Sequence, residues 1–90
     1  MSSYSIKFTK SAHKEFGHLS ASLQEKIVEA LHMLAINPFS NLLQIKKLKG
    51  SSALFRLRIG DYRVVYEVKN QELILLIIKI GHRKEVYRGF

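Results

Sequence analysis

The sequence predicts an α+β domain in which a helical hairpin packs on one face of a mostly antiparallel sheet. Three observations carry that expectation. An alternating run near the N-terminus reads as a strand, and two runs with apolar residues at helical spacing follow it. Three further strand-like runs, divided by tight-turn signals, then fill the chain to about residue 80. The expected order is β-α-α-β-β-β, with the last three strands forming an antiparallel meander.

Ser3 to Phe8 alternates, with Tyr4, Ile6 and Phe8 on one side and Ser3, Ser5 and Lys7 on the other. That is the pattern of a half-buried strand. Thr9 is placed to cap a helix in which Ala12, Phe16 and Leu19 recur at i, i+4 and i+7. Gly17 weakens its end, so a short helix is expected.

Ser22 and Glu25 fit a reciprocal capping box for the second helix. Its apolar face is Leu23, Ile27, Ala30, Leu31 and Leu34, while Gln24, Glu25, Lys26 and Glu29 are expected to face water. Asn37-Pro38 ends it, because proline lacks the donor and disfavours helix in the residue before it. Phe39 to Ser52 reads as a connection, closed by the turn signal Gly50-Ser51-Ser52.

From about Ala53 to Ile59 a strand places Phe55, Leu57 and Ile59 on one face and Leu54, Arg56 and Arg58 on the other. Gly60-Asp61 is a glycine-first two-residue hairpin turn. The return strand, Tyr62 to Val68, puts Arg63, Val65 and Glu67 on the arginine face. Asn70-Gln71 makes a second tight turn. Leu73 to Ile80 is apolar on both faces, as suits a strand with neighbours on each side, and the first strand is expected to pair beside it.

Ninety residues with 47% hydrophobic content make one domain, residues 1–90, with a single modest core. Cysteine is absent, which excludes disulfides and thiolate metal sites. The four histidines lack metal-ligand spacing, so neither a metal nor a cofactor is expected. The N-terminal residues lack the apolar core of a signal peptide, and the run Leu73 to Ile78 is far too short to span a bilayer. A cytoplasmic protein without membrane contact is expected.

The net charge of +8 is unevenly placed: residues 44–88 hold eleven Lys/Arg against four Asp/Glu. Such asymmetry points to a polyanionic partner. Arg56 and Arg58 leave one strand face together, and the predicted hairpin sets Arg63 opposite Arg58. Like charges directly opposite one another are unfavourable, so the cluster suggests an anion between them, with splayed and solvated arginines as the plain alternative. Arginine suits phosphate because its planar fork donates two parallel hydrogen bonds and stays charged.

His82-Arg83-Lys84-Glu85-Val86-Tyr87 follows the last strand and should lie beside that face. Histidine as a residue type suits proton transfer, which marks His82 as a candidate, although a surface histidine at a strand end fits equally well. Tyr87 could stack on a base, move a proton or simply pack the tail. No phosphate-binding glycine loop, nucleophile elbow or paired-carboxylate constellation occurs.

Phe55-Arg-Leu-Arg-Ile-Gly-Asp-Tyr-Arg-Val-Val-Tyr-Glu, followed by Ile80-Gly-His-Arg-Lys-Glu-Val-Tyr-Arg, resembles the RelE/ParE superfamily of type II toxin–antitoxin toxins. Lys47-Leu48-Lys49-Gly50 and the helical hairpin fit as well. The resemblance implies a RelE-like toxin that cleaves messenger RNA in the ribosomal A site and is neutralised by a cognate antitoxin. The ParE branch, which poisons DNA gyrase, is the alternative. A nucleic-acid-binding module without catalysis is a third reading.

Carried over by position, Arg56 and Arg58 match the two basic strand residues of RelE-type toxins and Arg63 their phosphate-binding arginine. Arg83 matches the arginine after the last strand, and Tyr87 the tyrosine near the C-terminus. The strand positions are lysine in some such enzymes; arginine, unlike lysine, effectively never gives up its proton. The tail is also shorter than in some relatives. The implied chemistry is metal-independent attack of a 2′-hydroxyl on the adjacent phosphate, with Lys46, Lys47, Lys49, Lys84 and Arg88 expected along the RNA backbone.

Overall fold

A computed structural model describes residues 3–50 and 53–85. Its elements are β1 (Ser5–Phe8), α1 (Lys10–Gly17), α2 (Ala21–Ile36), β2 (Gln44–Lys47), β3 (Leu54–Ile59), β4 (Tyr62–Lys69) and β5 (Ile74–His82). They form one five-stranded sheet in the order β1-β5-β4-β3-β2. The β1–β5 pair is parallel and the others are antiparallel. This is the expected α+β architecture, with β1 beside β5 as anticipated and one further short strand.

That strand, β2, lies in the segment expected to be a connection. Gln-Ile-Lys-Lys offers a single apolar residue, so its sequence carries no period-two signal. Pairing with β3 makes it a strand: Ile45 opposes Leu57, and Lys46 opposes Arg56. Lysines on a short edge strand also discourage pairing with another chain.

Thr9 caps α1 as predicted, its hydroxyl accepting from the Ala12 amide at 3.2 Å. The second helix starts two residues before the predicted capping box. Ser20 is its N-cap and accepts from the Leu23 amide at 3.3 Å. The reason is local: the link from Gly17 is short, and the Gln24 side-chain amide donates to the Phe16 carbonyl at 2.9 Å, drawing the first turn of α2 against the end of α1. Gln24 therefore faces the helix junction rather than open water. At the far end the Asn37 amide donates to the Met33 carbonyl, and the Asn37 side chain accepts from the Phe39 amide.

The helices cover one sheet face only. Ile27, Ala30, Leu31 and Leu34 of α2 and Ala12 of α1 are buried against Leu57, Val64, Tyr66, Val68, Leu75, Ile77 and Ile80. Phe39, Phe55 and Tyr66 form an aromatic run, with ring centroids 5.3 and 5.8 Å apart. The buried Tyr66 hydroxyl donates to the Pro38 carbonyl at 3.0 Å, which fixes the chain leaving α2 onto the sheet. Burial pushes the Tyr66 phenol up from its ordinary value.

Gly60 has a φ of 57° and Asp61 is not in the left-handed region, which matches the glycine-first hairpin. The second turn is longer than predicted. It runs through Leu73, whose φ of 54° is unusual for a residue with a Cβ. The Leu73 carbonyl accepts from the Ser5 amide at 2.7 Å, so the turn also starts the β1–β5 pairing.

The register of β5 against β4 slips once. Val65 opposes Lys79, but Tyr66 opposes Ile77, so Ile78 is the extra residue of a β-bulge. Its carbonyl accepts from the Thr9 hydroxyl at 3.1 Å, and the Thr9 amide donates to the Ile77 carbonyl at 2.9 Å. Two residues later the Glu15 carboxylate accepts from the Ile80 amide at 2.9 Å. Beyond the last residue of β1, side chains of α1 and its cap thus satisfy the exposed edge of β5.

In urea denaturation, Ser20→Ala is expected to cost about 1 kcal/mol and Ser22→Ala less than about 0.5 kcal/mol; the reverse order would restore the capping box. Tyr66→Phe is expected to lose about 1–2 kcal/mol at neutral pH. The folded phenol titrates above the unfolded one, so the Tyr66 contribution is complete below about pH 10 and is lost as pH rises further. The stability gap between wild type and Tyr66→Phe should therefore narrow at alkaline pH.

Candidate nucleic-acid interface

The sheet face away from the helices is built from two cross-strand rows. Gln44, Arg58, Arg63 and Gly81 form one, and Lys46, Arg56, Val65 and Lys79 form the next. Four basic side chains other than Arg63 thus leave the same surface at strand spacing. Val65 is 0% exposed although it lies on this face, between Arg56 and Lys79 in the register. Arg56 and Lys79 are themselves half-buried, and the Arg56 Nε is among the buried atoms.

Arg58 and Arg63 are direct cross-strand partners, as expected. The structure also shows how that repulsion is relieved without an anion. Arg63 is only 8% exposed, and its Nη1 donates to the carbonyls of Gly60 at 2.9 Å and Tyr62 at 3.0 Å. Its guanidinium is turned into the hairpin, whereas Arg58 is exposed. Arg63 braces the turn from which the rest of the cluster is presented.

Arg83 meets the same turn from β5. Its amide donates to the Asp61 carbonyl at 2.7 Å, and its Nε lies 3.9 Å from the Asp61 carboxylate. With its side chain 51% exposed, the charge remains available to solvent and ligand. Arg58, Arg63 and Arg83 are therefore gathered at the hairpin end of the sheet.

Other expected residues are placed differently. His82 pairs with Tyr62, so it leaves β5 on the helix side, away from the arginine rows. Its ring meets Tyr62 edge-to-face at 5.8 Å, and its Nδ1 accepts from the Lys84 amide at 3.3 Å. That bond assigns the proton of a neutral ring to Nε2. His18, from the link after α1, lines a cavity together with His82.

Lys46 joins the basic face, whereas Lys47, opposite Phe55, alternates to the other side, and Lys49 lies in the turn beyond β2. Lys84 is exposed after β5. Tyr87 and Arg88 lie outside the described residues. Lys79 was not singled out from the sequence: counted in steps of two from the buried Leu75, it would point into the core. Only the bulge at Ile78 turns it outward. Among the described residues no group of three His, Asp or Glu side chains could hold a metal ion, and no helix is long and apolar enough to cross a membrane.

Residues 6–87 match the family described as the ParE toxin of the type II toxin–antitoxin system parDE. The chain belongs to the RelE/ParE family of toxins. It is 31% identical over 89 residues to the toxin RelE3 of Methanocaldococcus jannaschii, covering 94% of this chain and 97% of that one. It is 28% identical to the mRNA interferase toxin RelE of Escherichia coli K12, covering 93% and 90% respectively. The fold also matches a crystal structure of the archaeal RelE–RelB complex of Pyrococcus horikoshii. There the TM-score is 0.81 at 28% identity, over 93% of this chain and 99% of that one. These named relatives and the solved structure are RelE-type toxins, which supports a RelE-type toxin rather than a gyrase poison.

The brace formed by Arg63 can be separated from the charge it carries. Arg63→Met is expected to lower stability by about 1–3 kcal/mol in urea, because the hairpin carbonyls lose a charged donor. Arg58→Met, at an exposed site, should change it by less than about 0.5 kcal/mol. Equal effects at the two positions would contradict the assignment.

Proposed function

We propose that this toxin is an endoribonuclease that cuts messenger RNA on the ribosome and is held inactive by a cognate antitoxin. The observation that carries the reading is the basic face itself. Arg56, Arg58, Lys46 and Lys79 share it, with Arg63 and Arg83 at its hairpin end. Five of those six residues project from paired strands, which hold them in place before a ligand arrives. The RelE names of its relatives support the same reading.

The reaction is attack of a ribose 2′-oxygen on the adjacent phosphorus, with the P–O5′ bond breaking. The 2′-proton passes to a base, and the departing 5′-oxygen receives a proton. The products are a 2′,3′-cyclic phosphate and a 5′-hydroxyl, and no metal is required. Arg56 and Arg58 stabilise the charge that builds on the phosphate oxygens, and Arg63 holds the hairpin that aims Arg58. Arg83 supports the leaving oxygen. Tyr87 is assigned to base stacking or proton transfer. His82 is a second candidate for proton transfer, placed at the end of β5 on the other side of the sheet from the arginine rows.

Lys49 and Lys84 are further candidates to follow the RNA backbone, as are Lys47 from the opposite face and Arg88, and the ribosomal A site supplies the in-line geometry. The archaeal neighbour was crystallised as a RelE–RelB complex. An antitoxin segment laid on the basic face, folding as it binds, would neutralise this chain.

The test is brief expression in cells with transcriptome-wide mapping of messenger RNA 5′ ends. Cuts inside translated frames are expected, falling at least about 100-fold in Arg58→Ala, Arg83→Ala and Tyr87→Ala. Growth arrest with intact messages and double-strand DNA breaks would replace this reading with gyrase poisoning, the activity that the ParE name of the family would suggest.

A further inference from the structure

A cavity of about 560 Å³ opens beside the C-terminal end of β5, and the chemistry assigned above makes little use of it. Its lining includes Glu15, His18 and Leu19 from the end of α1 and the link after it, Tyr62 from β4, and His82 and Glu85 at the end of β5. It exists because β1 stops pairing with β5 at Ile77. From there on the edge of β5 is met by side chains of α1 rather than by another strand. The volume is within the range of small-ligand sites.

The cavity is continuous with the basic face through Gly81. That residue ends the row Gln44-Arg58-Arg63-Gly81 and also lines the cavity, so no side chain stands between the two at this position. Lys79, which ends the neighbouring row, lines it as well. The two regions differ in chemistry. The face is cationic and suits phosphate. The cavity holds two carboxylates, Glu15 and Glu85, which repel phosphate, together with aromatic rings set at right angles and an apolar wall at Leu19.

We propose that this cavity receives a nucleobase of the RNA strand whose phosphates lie on the arginine face, and that the Glu15 carboxylate selects a base with paired N–H donors, guanine above the others. The proposal rests on the RNA-binding reading of that face. Glu15 is held in place by the Ile80 amide, which occupies one acceptor position of a group that has about four. The Watson–Crick edge of guanine presents two adjacent N–H donors to such a carboxylate. Adenine and cytosine set an acceptor beside their amino group, and uracil flanks its single N–H with two carbonyls. A carboxylate disfavours all three. Tyr62 and His82 supply the aromatic wall against which a base packs, a contact that tolerates any base and so contributes affinity rather than choice.

The test uses the intact toxin, isotope-labelled for NMR, with guanosine and uridine as probes. Neither nucleoside carries a phosphate, so the arginine face is bypassed. Guanosine is expected to move the Ile80 and Gly81 amide signals and the His18 and His82 ring signals in a saturable way. Uridine should bind about five- to tenfold more weakly. Glu15→Gln keeps an oxygen for the Ile80 amide but replaces one acceptor by a donor, and it should bring the two nucleosides to within about twofold. Leu19→Phe, which narrows the cavity without touching Glu15, should weaken both.

Guanosine that leaves these signals unmoved, or a guanosine preference that survives Glu15→Gln, would overturn the proposal. A short 2′-O-methyl oligoribonucleotide separates this failure from failure of the underlying reading. If it moves the Arg58 and Arg83 signals while guanosine moves nothing, the cavity assignment falls and the RNA face stands. If it moves neither, both fall.

Discussion

The single extra residue at Ile78 decides how this sheet presents its chemistry. A strand alternates its side chains with a period of two, and one inserted residue inverts the faces of everything after it. Past the bulge Lys79 and Gly81 come out on the arginine face, while Ile80 enters the core and His82 turns toward Tyr62. Without it, Ile80 would be exposed and Lys79 buried. The bulge is held from outside the sheet: the Thr9 hydroxyl takes the Ile78 carbonyl, and Glu15 takes the Ile80 amide. One short helix and its cap thus fix the facing of the functional end of β5. That α1 is only eight residues long matters little, because its role is to deliver these two side chains.

Packing and charge are divided between the two sides of the sheet. The apolar side carries nearly all of the buried hydrophobic residues and is closed by α1 and α2. The other side carries the basic rows, where like charges would oppose folding if all pointed into one space. The fold avoids this by spending Arg63 on the hairpin carbonyls, leaving Arg58 and Arg83 to meet solvent or ligand. An arginine that braces a turn and one that waits for phosphate look alike in sequence. They differ in burial and in what their nitrogens touch.

The end of β5 then joins two environments of opposite character. A cationic surface lies on one side of Gly81, and a cavity with carboxylates and aromatic rings lies on the other. RNA has the same duality, an anionic backbone with bases that carry donors and acceptors. In a domain this small, one strand end serves both because the bulge has already assigned its residues to different faces.

Much of this was determined by the sequence alone. The helices, the Thr9 cap, the Gly60-Asp61 hairpin and the alternation of β3 and β4 follow from local periodicity and turn chemistry, which act over a few residues. The facing of Arg56 and Arg58 and the opposition of Arg58 to Arg63 follow from the same local rules. Only the tertiary structure decided what depends on distant partners. Strand β2 exists because β3 offers it a ladder, and α2 begins at Ser20 because the end of α1 draws it there. The bulge at Ile78 is invisible in an apolar run, since six consecutive hydrophobic residues give no sign of which one is extra. Thr9, sixty-nine positions away in the chain, supplies the hydrogen bond that places it. For that reason sequence periodicity could not assign Lys79 to the basic face or His82 to the cavity.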